Sequence, residues 1–120
     1  MSDRPLWQLS ACELSEKIAG GDITATQATG SVLERVGDKN PHLNAIVMDL
    51  SDEARADAKR LDEMFAKSGP VGPLHGVPVT IKVNIDQTGH ATTNGVKAFK
   101  DMIAPDNSTV VNNLKKAGAV

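Results

Sequence analysis

The run Gly72-Pro73-Leu74-His75-Gly76-Val77-Pro78-Val79-Thr80-Ile81-Lys82 constrains this chain more than any other stretch. Just ahead of it, the prolines and glycines of Ser68–Pro73 exclude both helix and central strand, so the chain crosses a loop there. From Val77 to Ile81 the sequence becomes apolar and β-branched at strand length. Val77, Val79 and Ile81 then share one face, with Thr80 and Lys82 on the other. Pro78 removes a ladder donor, so this strand begins there or lies near an edge. The run ends on Lys82, a long and normally solvated cation placed where a buried strand stops.

The segments before this run read as helix, helix, strand and helix. Ser10 with Glu13 forms a capping box, Leu14 and Ile18 give a short apolar stripe, and Gly20-Gly21 stops the helix. Thr24 with Gln27 repeats the capping signature. Ala28, Val32 and Val36, with Leu33 beside them, share a face up to Gly37 or Asn40, and Pro41 is expected to block continuation. Residues 10–40 thus read as a helical hairpin joined by a Gly-rich turn. Asn44–Asp49 has the composition of a strand. Ser51 and Asp52 open a helix with Ala54, Ala58, Leu61 and Phe65 at helical spacing; Glu63 is placed to pair with Lys67. Residues 44–82 therefore read as strand, helix, strand.

Residues 83–120 read as a loop, a helix and the start of a further strand. From Val83 to Pro105 no periodicity persists, and a structureless loop of that length in a compact domain is usually functional. The last helix starts near Asp106–Thr109, with Ser108 and Thr109 as capping groups, carries Val110, Leu114 and Ala117 on one face, and ends at Gly118. Ala119-Val120 reads as the first step of a strand. The pattern is α/β. Two strands make too narrow a sheet for independent stability, so further sequence is expected to complete it.

Composition narrows the function classes. A chain of 120 residues makes one domain with a modest core. Only 2% of its residues are aromatic, and its net charge is −2, which argues against a base-stacking or phosphate-binding nucleic-acid module. Cys12 is the single cysteine, which rules out an internal disulfide and points to a reducing compartment. Cys12 reads as a small packed residue rather than a nucleophile. No apolar stretch approaches membrane-spanning length, and Met1-Ser2-Asp3-Arg4-Pro5 carries no secretory signal pattern, so the expectation is a cytoplasmic protein without a membrane partner. His42, His75 and His90 match no metal spacing, and neither phosphate-binding nor dinucleotide fingerprints occur, so no metal and no cofactor are expected. His75 reads as a residue that positions its loop.

Lys82 has two readings from the residues alone. Its stem can pack along the sheet while the ammonium reaches water. Alternatively, a lysine desolvated in a pocket loses preference for its charged form and can serve as a general base, as in Ser-Lys variants of the catalytic triad.

The residues Gly72–Asp86, followed by Thr92-Thr93-Asn94-Gly95 and then by Asp106–Val120, resemble the N-terminal part of amidase signature enzymes. The resemblance covers nearly the whole chain, residues 1–120, as part of a single domain. It implies a mixed sheet flanked by helices, incomplete in this chain. It also implies an enzyme that hydrolyses a small carboxylic amide to an acid and ammonia or an amine through a Ser-cisSer-Lys triad. Lys82 matches the catalytic lysine. Thr92–Gly95 reads either as a turn near the rim of the site or as a solvated loop. Many members carry Asp after that lysine, where this chain has Val83. No Gly-Ser-Ser-Gly-Gly-Ser-like run occurs in residues 1–120, so the chain is expected to contribute the lysine, to need the remainder of the enzyme, and to be inactive alone. Two alternatives stand beside this reading: a non-catalytic truncated or assembly segment, and part of an amidotransferase subunit. The amide substrate and any homo-oligomer are left open.

Overall fold

A computed structural model describes residues 3–120, so Met1 and Ser2, which open the segment without a signal pattern, lie outside the described residues. Four α-helices follow one another: α1 (Ala11–Ala19), α2 (Ala25–Leu43), α3 (Ser51–Ser68) and α4 (Thr109–Lys116). Short 3-10 turns lie at Leu6–Gln8 and Lys97–Phe99.

The helix starts follow their side chains. In α1 the Glu13 backbone N–H donates to Ser10 Oγ at 3.2 Å, while Glu13 Oε2 accepts from the Ser10 N–H at 2.7 Å. In α2 the Gln27 N–H donates to Thr24 Oγ1 at 3.0 Å, and Gln27 Oε1 accepts from the Thr24 N–H at 2.9 Å. Each box satisfies donors that the first helical turn otherwise leaves without partners. α2 gains a further anchor from α3: Asp62 accepts from the Ala25 N–H at 2.7 Å, the Thr26 N–H at 3.0 Å and the Thr26 hydroxyl at 2.5 Å. A carboxylate there also faces the positive end of the helix dipole.

Two apolar clusters hold the helices to the Gly72–Lys82 run. Leu9, Leu14, Ile18 and Ala28 pack with Val77, so the run sits on α1 and α2. Ala25, Ala58 and Leu61 join α2 to α3, with Met64 and Val120 against them. Gly76 makes the close approach feasible. Its φ is +76°, and a Cβ there would stand 2.6 Å from Ala25 Cβ.

Several expectations are corrected. α2 continues through Pro41 to Leu43 instead of stopping at Gly37 or Asn40. Pro41 lies in the last turn, where its missing N–H costs one bond near an end that is terminating anyway; Asn44 then closes the helix in the left-handed region with φ 51°. The expected strands Asn44–Asp49 and Val77–Ile81 are not strands among the described residues. A strand needs a neighbour for its N–H and C=O groups. Ile46 instead gives both of its backbone groups to the Asn40 side-chain amide, at 2.8 and 3.0 Å, and Val47 is 72% exposed.

Residues 74–79 have a partial neighbour in residues 117–120. The Leu74 N–H donates to Ala117 O at 2.8 Å and the Gly76 N–H to Gly118 O at 2.8 Å. Val120 then donates to Val77 O at 2.9 Å and accepts from the Val79 N–H at 3.0 Å. That is one parallel step, too short for a ladder. Of the expected apolar face, only Val77 is buried, while Val79 is 37% exposed.

Three smaller corrections concern side chains. In α4 the buried residue is Val111, and Val110 is exposed. Cys12 is exposed, because Leu14 and Ile18 take the inward face of α1 and a residue two positions away points elsewhere. Within α3 an ion pair joins Arg60 to Asp57, and among the described residues none joins Glu63 to Lys67.

Candidate active site

Lys82 stands at the end of the run fixed by Val77. Its side chain is exposed, makes no hydrogen bond or ion pair among the described residues, and lines a groove of about 820 Å³. The groove is mostly apolar, with Val47, Met48, Val79, Ile81 and Ile85 among its walls. Glu53 and His90 also line it, and His90 Nε2 lies 3.1 Å from Glu53 Oε2, joining the long loop to the first turn of α3. Arranged so, the groove presents two lysine amines, Lys82 and Lys115, and the carboxylates of Asp49, Glu53 and Asp57 beside apolar surface, and the Lys82 amine has no partner among the described residues.

The backbone after Lys82 turns sharply. The Ile85 N–H donates to Lys82 O at 3.0 Å, and the Asn94 N–H returns to Val83 O at 3.4 Å. Thr92–Gly95 therefore does come back to the residue after the lysine, with Asn94 at φ 50° and Gly95 at φ 75°. Val83 is half-buried and lines the groove.

Behind the site, His75 is buried and holds the preceding loop. Its Nδ1 accepts from the Val71 N–H at 3.1 Å, and its ring lies against Phe65 with centroids 5.8 Å apart. The Nε2 atom is buried and has no partner among the described residues. A Cβ on Gly118 would stand 2.8 Å from His75 Cα, so the end of α4 closes over this histidine only because position 118 has no side chain. Among the described residues no cluster of three His, Cys, Asp or Glu side chains converges as metal ligands would, and no helix is long and apolar enough to cross a membrane.

The sequence reading missed Asp62, whose capping of α2 comes from 36 to 37 positions away. It also missed Asp86, whose carboxylate accepts from the Thr92 hydroxyl at 2.5 Å. No short-range signature marks either pairing.

A helical entrance, a short parallel contact of residues 74–79 with 117–120, and a lysine three residues beyond it are shared with the N-terminal part of the amidase signature fold, on which the structure superposes. The chain belongs to the amidase family, whose model, described as Amidase, matches residues 27–120. It is 49% identical over 116 residues to an indoleacetamide hydrolase of Bradyrhizobium diazoefficiens, covering 97% of this chain and 22% of the relative. It is 37% identical over 115 residues to a glutamyl-tRNA(Gln) amidotransferase subunit of Carboxydothermus hydrogenoformans, covering 96% of this chain and 24% of that one. The solved structure of a fatty acid amide hydrolase superposes with a TM-score of 0.93 at 26% identity, over all of this chain and 22% of that one. The chain thus spans about a quarter of the length of the relatives it matches.

Proposed function

We propose that residues 1–120 form the lysine-bearing part of an enzyme that hydrolyses a carboxylic amide to an acid and ammonia or an amine. Lys82 is the general base of a Ser-cisSer-Lys triad in this reading, and both serines come from sequence outside residues 1–120. The neutral lysine amine takes a proton from the bridging serine, which takes one from the nucleophilic serine as that oxygen attacks the amide carbon. The one proton that this relay leaves on Lys82 passes back through the bridging serine to the departing nitrogen, and water, giving its proton to the same relay, then releases the acid and restores the serine hydroxyl. Backbone N–H groups near the serines stabilise the oxyanion. The extended segments 77–81 and 119–120 become neighbouring strands of a mixed sheet, and the elements that complete it supply the desolvation that a lysine base requires.

One observation carries the reading: Lys82 closes a motif inside the span matched by the amidase family and presents an amine without a partner, among the described residues, to a groove. The similarity to an indoleacetamide hydrolase makes indole-3-acetamide the first substrate to test. A second reading, part of a glutamine-using amidotransferase, is favoured by the 37% identity to one component of such an enzyme. Ammonia release by the complete polypeptide separates the two. The amide-hydrolase reading predicts release from indole-3-acetamide by the polypeptide alone, and loss of that release in Lys82→Ala. Release from glutamine only, and only with added partner subunits, favours the amidotransferase.

A further inference from the structure

We infer that Asp86 is a positioning residue for Lys82, an inference that rests on the catalytic reading of that lysine. Lys82 opens a tight turn into residues 83–105, a stretch whose regular structure is one 3-10 turn, at Lys97–Phe99, and one antiparallel bridge, Ala91 to Ile103. A lysine with a four-carbon stem delivers its amine to a fixed point only if the backbone that carries it is fixed. Asp86 is where three segments meet. Its carboxylate Oδ1 accepts from the Thr92 hydroxyl at 2.5 Å. Its backbone carbonyl accepts from the N–H of Ser108, the N-cap of α4, at 3.0 Å. Its position, one residue past Ile85, places both bonds at the exit of the turn whose Ile85 N–H donates to Lys82 O.

The arm that Asp86 grips is itself braced. Thr92 donates its N–H to Met102 O at 3.0 Å, beside the Ala91–Ile103 bridge, and Asn94 adds a second strap to Val83 O. The Thr92 hydroxyl donates to a single oxygen, Oδ1, an acceptor that an amide oxygen also supplies. The Asp86–Thr92 contact therefore fixes the Lys82 turn to a hydrogen-bonded arm, while the carbonyl of Asp86 fixes it to α4. What the site needs from Asp86 is an acceptor at Oδ1, not its charge, so asparagine should replace it and alanine should not.

The test uses the complete polypeptide that carries this segment, with indole-3-acetamide as substrate. Asp86→Ala and Thr92→Val are each expected to lower kcat by about 10- to 100-fold with KM within about twofold, the scale on which a small misplacement of a reacting group acts. Asp86→Asn is expected to stay within about threefold of wild type, and the double variant Asp86→Ala/Thr92→Val to match the singles, since both remove one contact. Thr92→Val, which keeps the side-chain shape, reads the contact even if Asp86→Ala fails to fold. Independent effects of the two substitutions, a loss confined to KM, or an Asp86→Asn as impaired as Asp86→Ala would overturn the inference. An inactive Lys82→Ala beside a fully active Thr92→Val removes the positioning role alone. A fully active Lys82→Ala removes the catalytic reading and this inference with it.

Discussion

In residues 10–43 the chain closes most of its polar contacts within a few positions, whereas residues 69–120 add to their local turns a set of hydrogen bonds across long separations. Ser10 finds Glu13 and Thr24 finds Gln27, three residues on. In the second region Leu74 finds Ala117, Thr88 finds Asn107 and Asp86 finds Ser108. The first region is a scaffold of helices that largely organise themselves, and the second is a set of loops ordered by distant partners. Lys82 belongs to the second. Its placement is inherited from Val77 packed on the scaffold and from the straps around Asp86, so the end of the motif proposed as catalytic depends on both regions.

The comparison is broken most severely where the two regions touch. Gly76→Ala combines a positive φ with a Cβ 2.6 Å from Ala25 Cβ, so it is expected to destabilise the folded protein by about 2–4 kcal/mol, read by urea unfolding. Asp62→Ala removes the carboxylate that caps α2 from α3 and is expected to cost about 1–2 kcal/mol in the same assay. Gly37→Ala is the opposite control. Position 37 lies inside α2 with nothing near the added methyl, and this variant is expected to gain about 0.5–1 kcal/mol.

The smallest effect is electrostatic. Hydrogen bonds from Ser10, first from its backbone N–H and then its hydroxyl, and from Arg4 hold the Glu13 carboxyl below its ordinary 4.5. Bonds from the Ser51 hydroxyl and N–H, with Arg55 nearby, hold Asp49 below 3.8. Because the folded-state values are lowered, this stabilisation is present above those ordinary values and is lost as pH falls through the folded ones. Glu13→Gln and Asp49→Asn should therefore flatten the acid limb of the stability profile below about pH 4.5 and leave its shape near neutrality unchanged.

The same contrast explains what was legible in the sequence. Both capping boxes, the Ser108 cap and the glycine stop after α1 were readable because signal and consequence lie within one helical turn. The family could be read from the Gly72–Lys82 run and the residues after it. Pairings were not readable. The β-branched run at Asn44–Asp49 met a side-chain amide, Asn40, in place of a ladder, and the order inside Val83–Pro105 comes from contacts without periodicity. In α4, Val110 and Val111 fit the helical spacing equally well, and only the packing chose Val111.

The most direct test of a scaffold carrying a separate lysine proposed as the catalytic base is a pair of variants in the complete polypeptide, each measured for Tm and for kcat on folded protein. Leu14→Ala empties a buried position and is expected to lower stability by about 2–5 kcal/mol while leaving kcat per folded molecule intact. Lys82→Ala is expected to keep the wild-type Tm and to lose about 10²- to 10⁴-fold in kcat, the range that a general base contributes. A Lys82→Ala enzyme that turns over amide near the wild-type rate would contradict the account.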